Sequence, residues 1–422
     1  MNGKVLLKIL PFVALTPIAE AQQSLPCYGS GKMSQEYLER LARENADSFI
    51  RVIKPQYIEP NIEQGSAEFY ARSFYHFQKI MERGLLEKQV SAVYIYEQEQ
   101  PNNIVVRGFV VSVSAKSILD GSLKKHENTL EILENRLVKQ ITALKSMAEP
   151  VLLVQKLPDS LTEYLINLSV GKPLVETIDD LNHVHRLWPI TSASLIESIS
   201  NGIEKLGSLY IADGHHRVSA VGKYLDGLDS VDPLGLMVLL VNEQDMIIKS
   251  FHRIISGIGN IDFLHFFTHK QAHFWIISDR ELDAITVSTN CVLLLTPSEN
   301  IMVDMGFGSG ECNTLTQERT VDSGFDAVEK LEVNKIESLI FDQLMGIHNT
   351  SNDDRITFMR GDTPLQTMKK LVLMGSCDCV LVLPANTVQQ IRDVADQNLF
   401  MPPKSTWIEP KLLTGFITQV FD

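Results

Sequence analysis

Apolar positions recur at helical spacing along residues 35–46, QEYLERLARENA, and predict an amphipathic helix. EFYARSFYHFQKIMERGLL at 68–86 repeats the pattern and predicts a second helix that ends near Gly84. The period then changes. AVYIYEQ at 92–98 and IVVRGFVVSVS at 104–114 are rich in β-branched and aromatic residues, and QPNN between them supplies the turn of a strand pair. A long helix is expected over 122–147, a strand over 150–157, and an alternating strand, HVHRLWPI, over 183–190. SASLIESISNGIEKL reads as a helix leading into the short apolar run at 209–212. The unbroken LMVLLVN at 236–242 reads as a buried, central, parallel strand.

The character shifts near Ile258–Ile261, where FWIIS, CVLLLTP, the glycine-rich MGFGSGEC, a long helix around 325–348 and CVLVLPA follow one another. Alternating helices and strands predict an α/β fold, a mixed sheet with flanking helices, in two regions, 1–255 and 256–422. The first residues, MNGKVLLKILPFVALTPIAEAQQ, allow two readings. The apolar stretch and Ala-Glu-Ala resemble a signal segment, while Lys8, Pro11 and Pro17 interrupt it and VLLKILPF reads as a first strand.

Bulk properties narrow the function classes. A chain of 422 residues has material for two domains or more. The net charge of −14 disfavours broad binding to nucleic acid, which needs a basic face, and leaves room for a local anion pocket. No stretch reaches the ~20 apolar residues that span a bilayer. Five cysteines, an odd number in a long chain, argue against a disulfide framework, and Cys377 and Cys379 read as buried thiols rather than half of a metal site.

The chemistry concentrates at SLYIADGHHR, 208–217, where a strand hands over to a helix. Gly214 permits a backbone conformation other residues resist, and a helix start offers unpaired N–H groups and a positive dipole end. Arg217 adds a fork matched to phosphate oxygens. His215 and His216 are candidate donors to phosphate, and they point about 100° apart on a helix, which makes them poor partners for one ion. Asp213 is a candidate helix cap, Mg²⁺ ligand or general base. A plain turn explains Asp213 and Gly214 alone. It leaves the three residues that follow unexplained.

Other constellations are weaker. Lys125-His126-Glu127 opens the expected long helix, where Glu127 complements the dipole. His183 and His185, two apart in a strand, face one side of the sheet and suit a metal, with no third ligand assignable. Pro402-Pro403-Lys404-Ser405-Thr406 with Pro410-Lys411 and Gly415 is a stiff, basic segment, and Lys404, Ser405 and Thr406 suit gripping a phosphate or carboxylate. Met305-Gly306-Phe307-Gly308-Ser309-Gly310 lacks the Gly-Lys-Ser/Thr of a phosphate-binding loop and reads as a turn.

ILPFVALTP, SFIRVIKP, KKHENTLEILENRL, YIADGHHRVSAV and MPPKSTWIEPKLLTG occur in this order, and together they resemble the bacterial and archaeal family catalogued as domain of unknown function 1015. The resemblance spans essentially the whole chain and implies that residues 1–23 are structure rather than a signal peptide. The family usually carries Pro-Tyr-Asp after its first strand, whereas this chain has Cys27-Tyr28-Gly29. Its Asp-Gly-His-His-Arg segment resembles the phosphate-binding turn of the ParB and sulfiredoxin superfamily, which includes nucleotide-dependent free-serine kinases. That implies a ParB/sulfiredoxin-like core and a cytoplasmic nucleotide-dependent enzyme, a kinase of a small hydroxylated metabolite such as an amino acid, using ATP or ADP with Mg²⁺. Gly214, His215, His216 and Arg217 would hold the phosphates. Asp213, Glu127 and His126 would be catalytic, and Lys404, Ser405, Thr406 and Arg136 would bind the substrate. The rival expectations are a ParB-like regulatory or DNA-binding module and a metal-dependent hydrolase using His126, His183, His185, His215 or His216.

Overall fold

Eight consecutive residues, Gly235–Asn242, are all buried, and the first unit is built around them. The structure is a computed structural model and describes residues 7–29, 31–227, 235–259, 261–305, 327–348, 350 and 353–421. By its contacts the chain forms two units: residues 1–125, 129–246 and 410–422, and residues 126–128 and 247–409. The sequence reading places one break near 255; the contacts assign 410–422 to the first unit.

The large sheet of the first unit comprises Ile9–Leu10 (β1), Val93–Glu99 (β2), Val105–Ser114 (β3), Leu123–Lys124 (β4), Val151–Gln155 (β5), Val175–Ile178 (β6), Val184–Ile190 (β7), Leu209–Asp213 (β8) and Gly235–Asn242 (β9). Their order is β4-β8-β5-β9-β3-β2-β7-β6, with β1 pairing β3. The central β9 runs parallel to β5 and antiparallel to β3, so Leu239 faces Leu152 on one side and Val110 on the other. The expected central strand is therefore parallel along one edge only. Its side chains are covered on both faces, as its unbroken apolar run requires.

Helices flank the sheet: Gln35–Glu44 (α1), Ile50–Ile53 (α2), Ala67–Glu82 (α3), Glu131–Leu144 (α4), Ala193–Glu204 (α5) and His215–Asp226 (α6). The first and third start at serine caps, where Ser34 accepts the Tyr37 N–H at 3.2 Å and Ser66 accepts that of Phe69 at 3.1 Å. Phe49, Ile50, Leu38, Phe77 and Leu25 form a core beneath them. The expected helix over 122–147 is shorter. Leu123 and Lys124 are drawn into a parallel ladder with Leu209 and Tyr210, and Ser146 and Met147 pair with Val420 and Gln419. Only 131–144 remains helical, so His126 and Glu127 precede the helix and do not open it.

A four-stranded sheet of Leu86–Lys88, Ala14–Pro17, Thr418–Val420 and Ser146–Met147 brings the C-terminal segment into this unit. Gln419 accepts the Met237 N–H at 2.7 Å and donates to Ser112 at 3.2 Å. Thr414 and Cys27 exchange backbone hydrogen bonds of 2.8 and 3.1 Å.

The second unit holds an antiparallel sheet in the order Phe274–Ile277, Asn300–Asp304, Cys291–Leu295, Cys379–Val382, Phe251–Ile255, Ile356–Arg360. The helix expected around 325–348 covers 332–344 and widens to a π-helix from Glu337. The glycine-rich 306–310 and Cys312 lie outside the described residues. Cys27, Cys377 and Cys379 are buried free thiols, and burial pushes Cys379 far above the usual thiol range. Among the described residues no helix is long and apolar enough to cross a membrane.

Candidate functional site

β8 ends at Asp213, Gly214 turns the chain, and α6 begins at His215. Gly214 has φ +99°, a left-handed value that favours glycine, and a Cβ there would stand 2.8 Å from Arg217 Nε. Two features therefore exclude a side chain at this position: the backbone and the guanidinium folded over it. Gly214 is itself the helix N-cap and no side chain caps the helix, so Asp213 does not act as the cap.

Asp213 instead joins two cations. Its Oδ1 accepts from Lys411 Nζ at 2.6 Å and its Oδ2 from Arg217 Nη2 at 2.8 Å. Burial pushes this carboxyl up, but Lys411 and Arg217 outweigh it and hold Asp213 well below the usual carboxylate range. The other arm of Arg217 pairs with Glu149, whose second oxygen accepts from Thr414 Oγ1 at 2.9 Å. Burial works against the charge of Arg217, and the two carboxylates more than offset it. The fork expected to be open to phosphate is thus engaged by two acidic side chains, and an incoming anion competes with them.

The two histidines diverge as their spacing predicts. His215 is 2% exposed, at the first turn of α6. His216 is half-buried, and its Nε2 accepts the backbone N–H of Leu130, the N-cap of α4, at 3.1 Å. This bond ties the turn to the helix that carries Arg136. Lys223 on α6 reinforces the tie by pairing with Glu134 on α4 at 2.6 Å.

His216 and Arg217 line a cavity of about 380 Å³. Its apolar wall comes from Phe69, Leu133, Leu137 and Ile141, and its charge from Lys54, Arg136 and Glu149. Lys54 is held below the usual lysine range, first by burial and then by Arg136. Among the described residues neither Lys54 nor Arg136 has an ion pair or a side-chain hydrogen bond. Two like charges therefore line one cavity without a direct ion pair to its carboxylate, Glu149. The sequence reading named Lys411 only as part of the stiff C-terminal segment and missed Lys54 and Glu149. Nothing in their spacing marks them, because three separate segments bring them to the turn.

Of the remaining expected residues, Arg136 belongs to the first unit and His126, Glu127, Lys404, Ser405 and Thr406 to the second. There Thr406 Oγ1 donates to Glu127 Oε1 at 3.3 Å and Met401 N to the His126 carbonyl at 2.8 Å. Ser405 is buried and its hydroxyl donates to the Pro402 carbonyl at 2.6 Å. Lys404 has φ +58° and rests its ammonium 4.9 Å from the Phe251 ring centre. Both Asp213 oxygens are engaged by cations.

The profile of the family described as "Protein of unknown function (DUF1015)" matches residues 9–334. No curated protein matches the chain. Among solved structures it is similar to a free serine kinase in complex with AMP, with 12% identity and a TM-score of 0.34 over 69% of this chain and 85% of that one. It is similar also to a conserved hypothetical protein from Pyrococcus furiosus, with 12% identity and a TM-score of 0.30 over 68% and 87%. A third is SbnI with C-terminal truncation from Staphylococcus aureus, with 11% identity and a TM-score of 0.33 over 69% and 82%.

Proposed function

The chain belongs to the DUF1015 family of proteins of unknown function, and from that premise we propose that it is a nucleotide-dependent phosphotransferase, a kinase of a small hydroxylated, amino-acid-like metabolite. The observation that carries the proposal is the cavity at the turn. Lys54 and Arg136 face it unpaired, Arg217 and the start of α6 flank it, and an apolar wall stands opposite. Phosphates neutralise the cations, and the apolar wall suits the flat face of a base.

Phosphoryl transfer is mostly positioning and charge stabilisation, which this set of residues supplies. Asp213 is a positioning residue: it fixes the guanidinium of Arg217 and the ammonium of Lys411. Glu149 is the carboxylate in the cavity lining, and the proposal makes it the base for a substrate hydroxyl once phosphate competes for its partner Arg217. The proposal includes a catalytic or substrate-binding part for His126, Glu127, Lys404, Ser405 and Thr406, which Glu127→Gln tests by turnover.

The deciding measurement is calorimetric titration of the purified chain with ATP, ADP and CTP. Binding is expected, and Arg217→Ala and Lys54→Ala should each weaken it about tenfold, ~1.4 kcal/mol. If none of the three nucleotides binds at millimolar concentration, the proposal fails.

A further inference from the structure

The hairpin of β6 and β7 carries a second cluster that the nucleotide reading does not use. Val184 pairs Ile178, so the connecting residues 179–183 form its tight end, completed by Asn182 at φ +61°. Asp179 locks that end. Its Oδ1 accepts the N–H groups of Leu181 and His183, each at 2.8 Å. This fixes the carboxylate so that its other oxygen, Oδ2, faces the rings of His183 and His185. His183 Nδ1 lies 3.0 Å from Oδ2 and His185 Nε2 lies 3.1 Å from it. All three atoms fall within 4.8 Å of one another.

We propose that Asp179, His183 and His185 bind a first-row divalent transition ion of the Zn²⁺ class. Three arguments carry this. The first is distance. With metal–nitrogen bonds of about 2.0–2.1 Å, neighbouring ligand atoms stand about 3.0 Å apart in an octahedron and about 3.4 Å in a tetrahedron. The two separations from Asp179 Oδ2, 3.0 and 3.1 Å, fit such edges, and the two histidine nitrogens lie within 4.8 Å of each other. The second is burial. The Asp179 side chain is 1% exposed and His185 is fully buried. Two backbone N–H groups and the Tyr28 hydroxyl fix the carboxylate, and a cation between it and the histidines further stabilises a charge that deep. The third is the outer support. The Tyr96 hydroxyl lies 2.7 Å from His185 Nδ1, which orients the ring and leaves Nε2 toward Asp179.

Two imidazoles and one carboxylate select zinc, iron, cobalt or nickel over Mg²⁺ and Ca²⁺, which prefer oxygen. Tyr28 places its hydroxyl on the same Asp179 oxygen, and the next residue, Gly29, lines the cavity beside Arg217. Tyr28 and Gly29 connect the two along the chain, and the existence of the ion site is independent of what the cavity binds.

The test is equilibrium dialysis of chelator-stripped full-length protein against Zn²⁺, with bound metal read by mass spectrometry. One equivalent per chain is expected. His183→Gln and Asp179→Asn should lose it, and Tyr96→Phe should weaken it about 10- to 100-fold. His265→Ala, on a surface pair with His269, should retain it. Zn²⁺ should also raise the melting temperature of the native chain and of His265→Ala but not that of His183→Gln, whose side chain is 12% exposed and tolerates change. Absence of bound zinc in the native chain, or equal zinc in His183→Gln, overturns the proposal and leaves a metal-free hydrogen-bond network. A nucleotide titration that fails while zinc binds would sink the phosphotransferase reading alone.

Discussion

Arg217 is held between Asp213 and Glu149 while it borders a cavity that also presents Lys54 and Arg136. An anion entering that cavity meets three cations and one carboxylate that opposes it. Neutralising that carboxylate should help. Glu149→Gln is expected to tighten ADP binding about fivefold, ~1 kcal/mol, while abolishing turnover if Glu149 is the base. Calorimetry and a product assay on the same variant separate the two effects. Gly214 is the complementary case. Alanine there takes on a left-handed backbone and presses on Arg217 Nε, so Gly214→Ala should cost about 1–3 kcal/mol in urea unfolding and weaken ADP binding with it. The sequence made Gly214 and Arg217 legible because they lie three residues apart in one short segment and their residue types are distinctive. It did not reveal the Arg217–Glu149 and Asp213–Lys411 pairs, since Glu149 and Lys411 reach the turn from distant segments.

At the level of elements, the strands 93–99, 105–114 and 235–242 were legible from their β-branched runs. The helix at 131–144 was legible in kind but not in length. Helical spacing continues through Leu123 and Met147, and only partners remote in sequence turn those residues into strands. Strand order had no local signal at all. His183 and His185 were read as sharing a face, while the carboxylate between them came from the turn geometry at Asp179. Another histidine ties elements in the second unit. His252, on Phe251–Ile255, accepts the Leu383 N–H at 3.3 Å through Nδ1, just past Cys379–Val382. Burial, and then Arg253, push its pKa down to about 4. The unfolded chain takes up a proton near pH 6.5 that the folded chain refuses until about pH 4. Stability is therefore full above that upper value and falls as the pH drops through the window, by at most about 1.4 kcal/mol per pH unit. Melting temperatures of native chain and His252→Gln between pH 7 and 4.5 should show the flatter slope in the variant.

For the whole molecule, a net charge of −14 coexists with a cationic cavity. The overall field repels anions at long range, where salt screens it most, while the cavity attracts them at short range, where buried charges are screened least. Raising NaCl from about 50 to 500 mM, which shortens the Debye length severalfold, should therefore change ADP affinity of the native chain by less than Lys54→Ala does. DNA should not be retained in a gel shift at low salt. The C-terminal segment has a consequence in time. Lys411, Thr414 and Gln419 complete the first unit by binding Asp213, Glu149, Ser112 and Met237. On the ribosome they emerge only after the whole second unit has been made, a delay on the order of ten seconds or more at usual elongation rates. Until then the nascent turn holds Asp213 without Lys411 and Glu149 without Thr414. The cavity beside the turn is assembled last, so a chain stalled or clipped before residue 410 would carry the signature turn without its C-terminal partners.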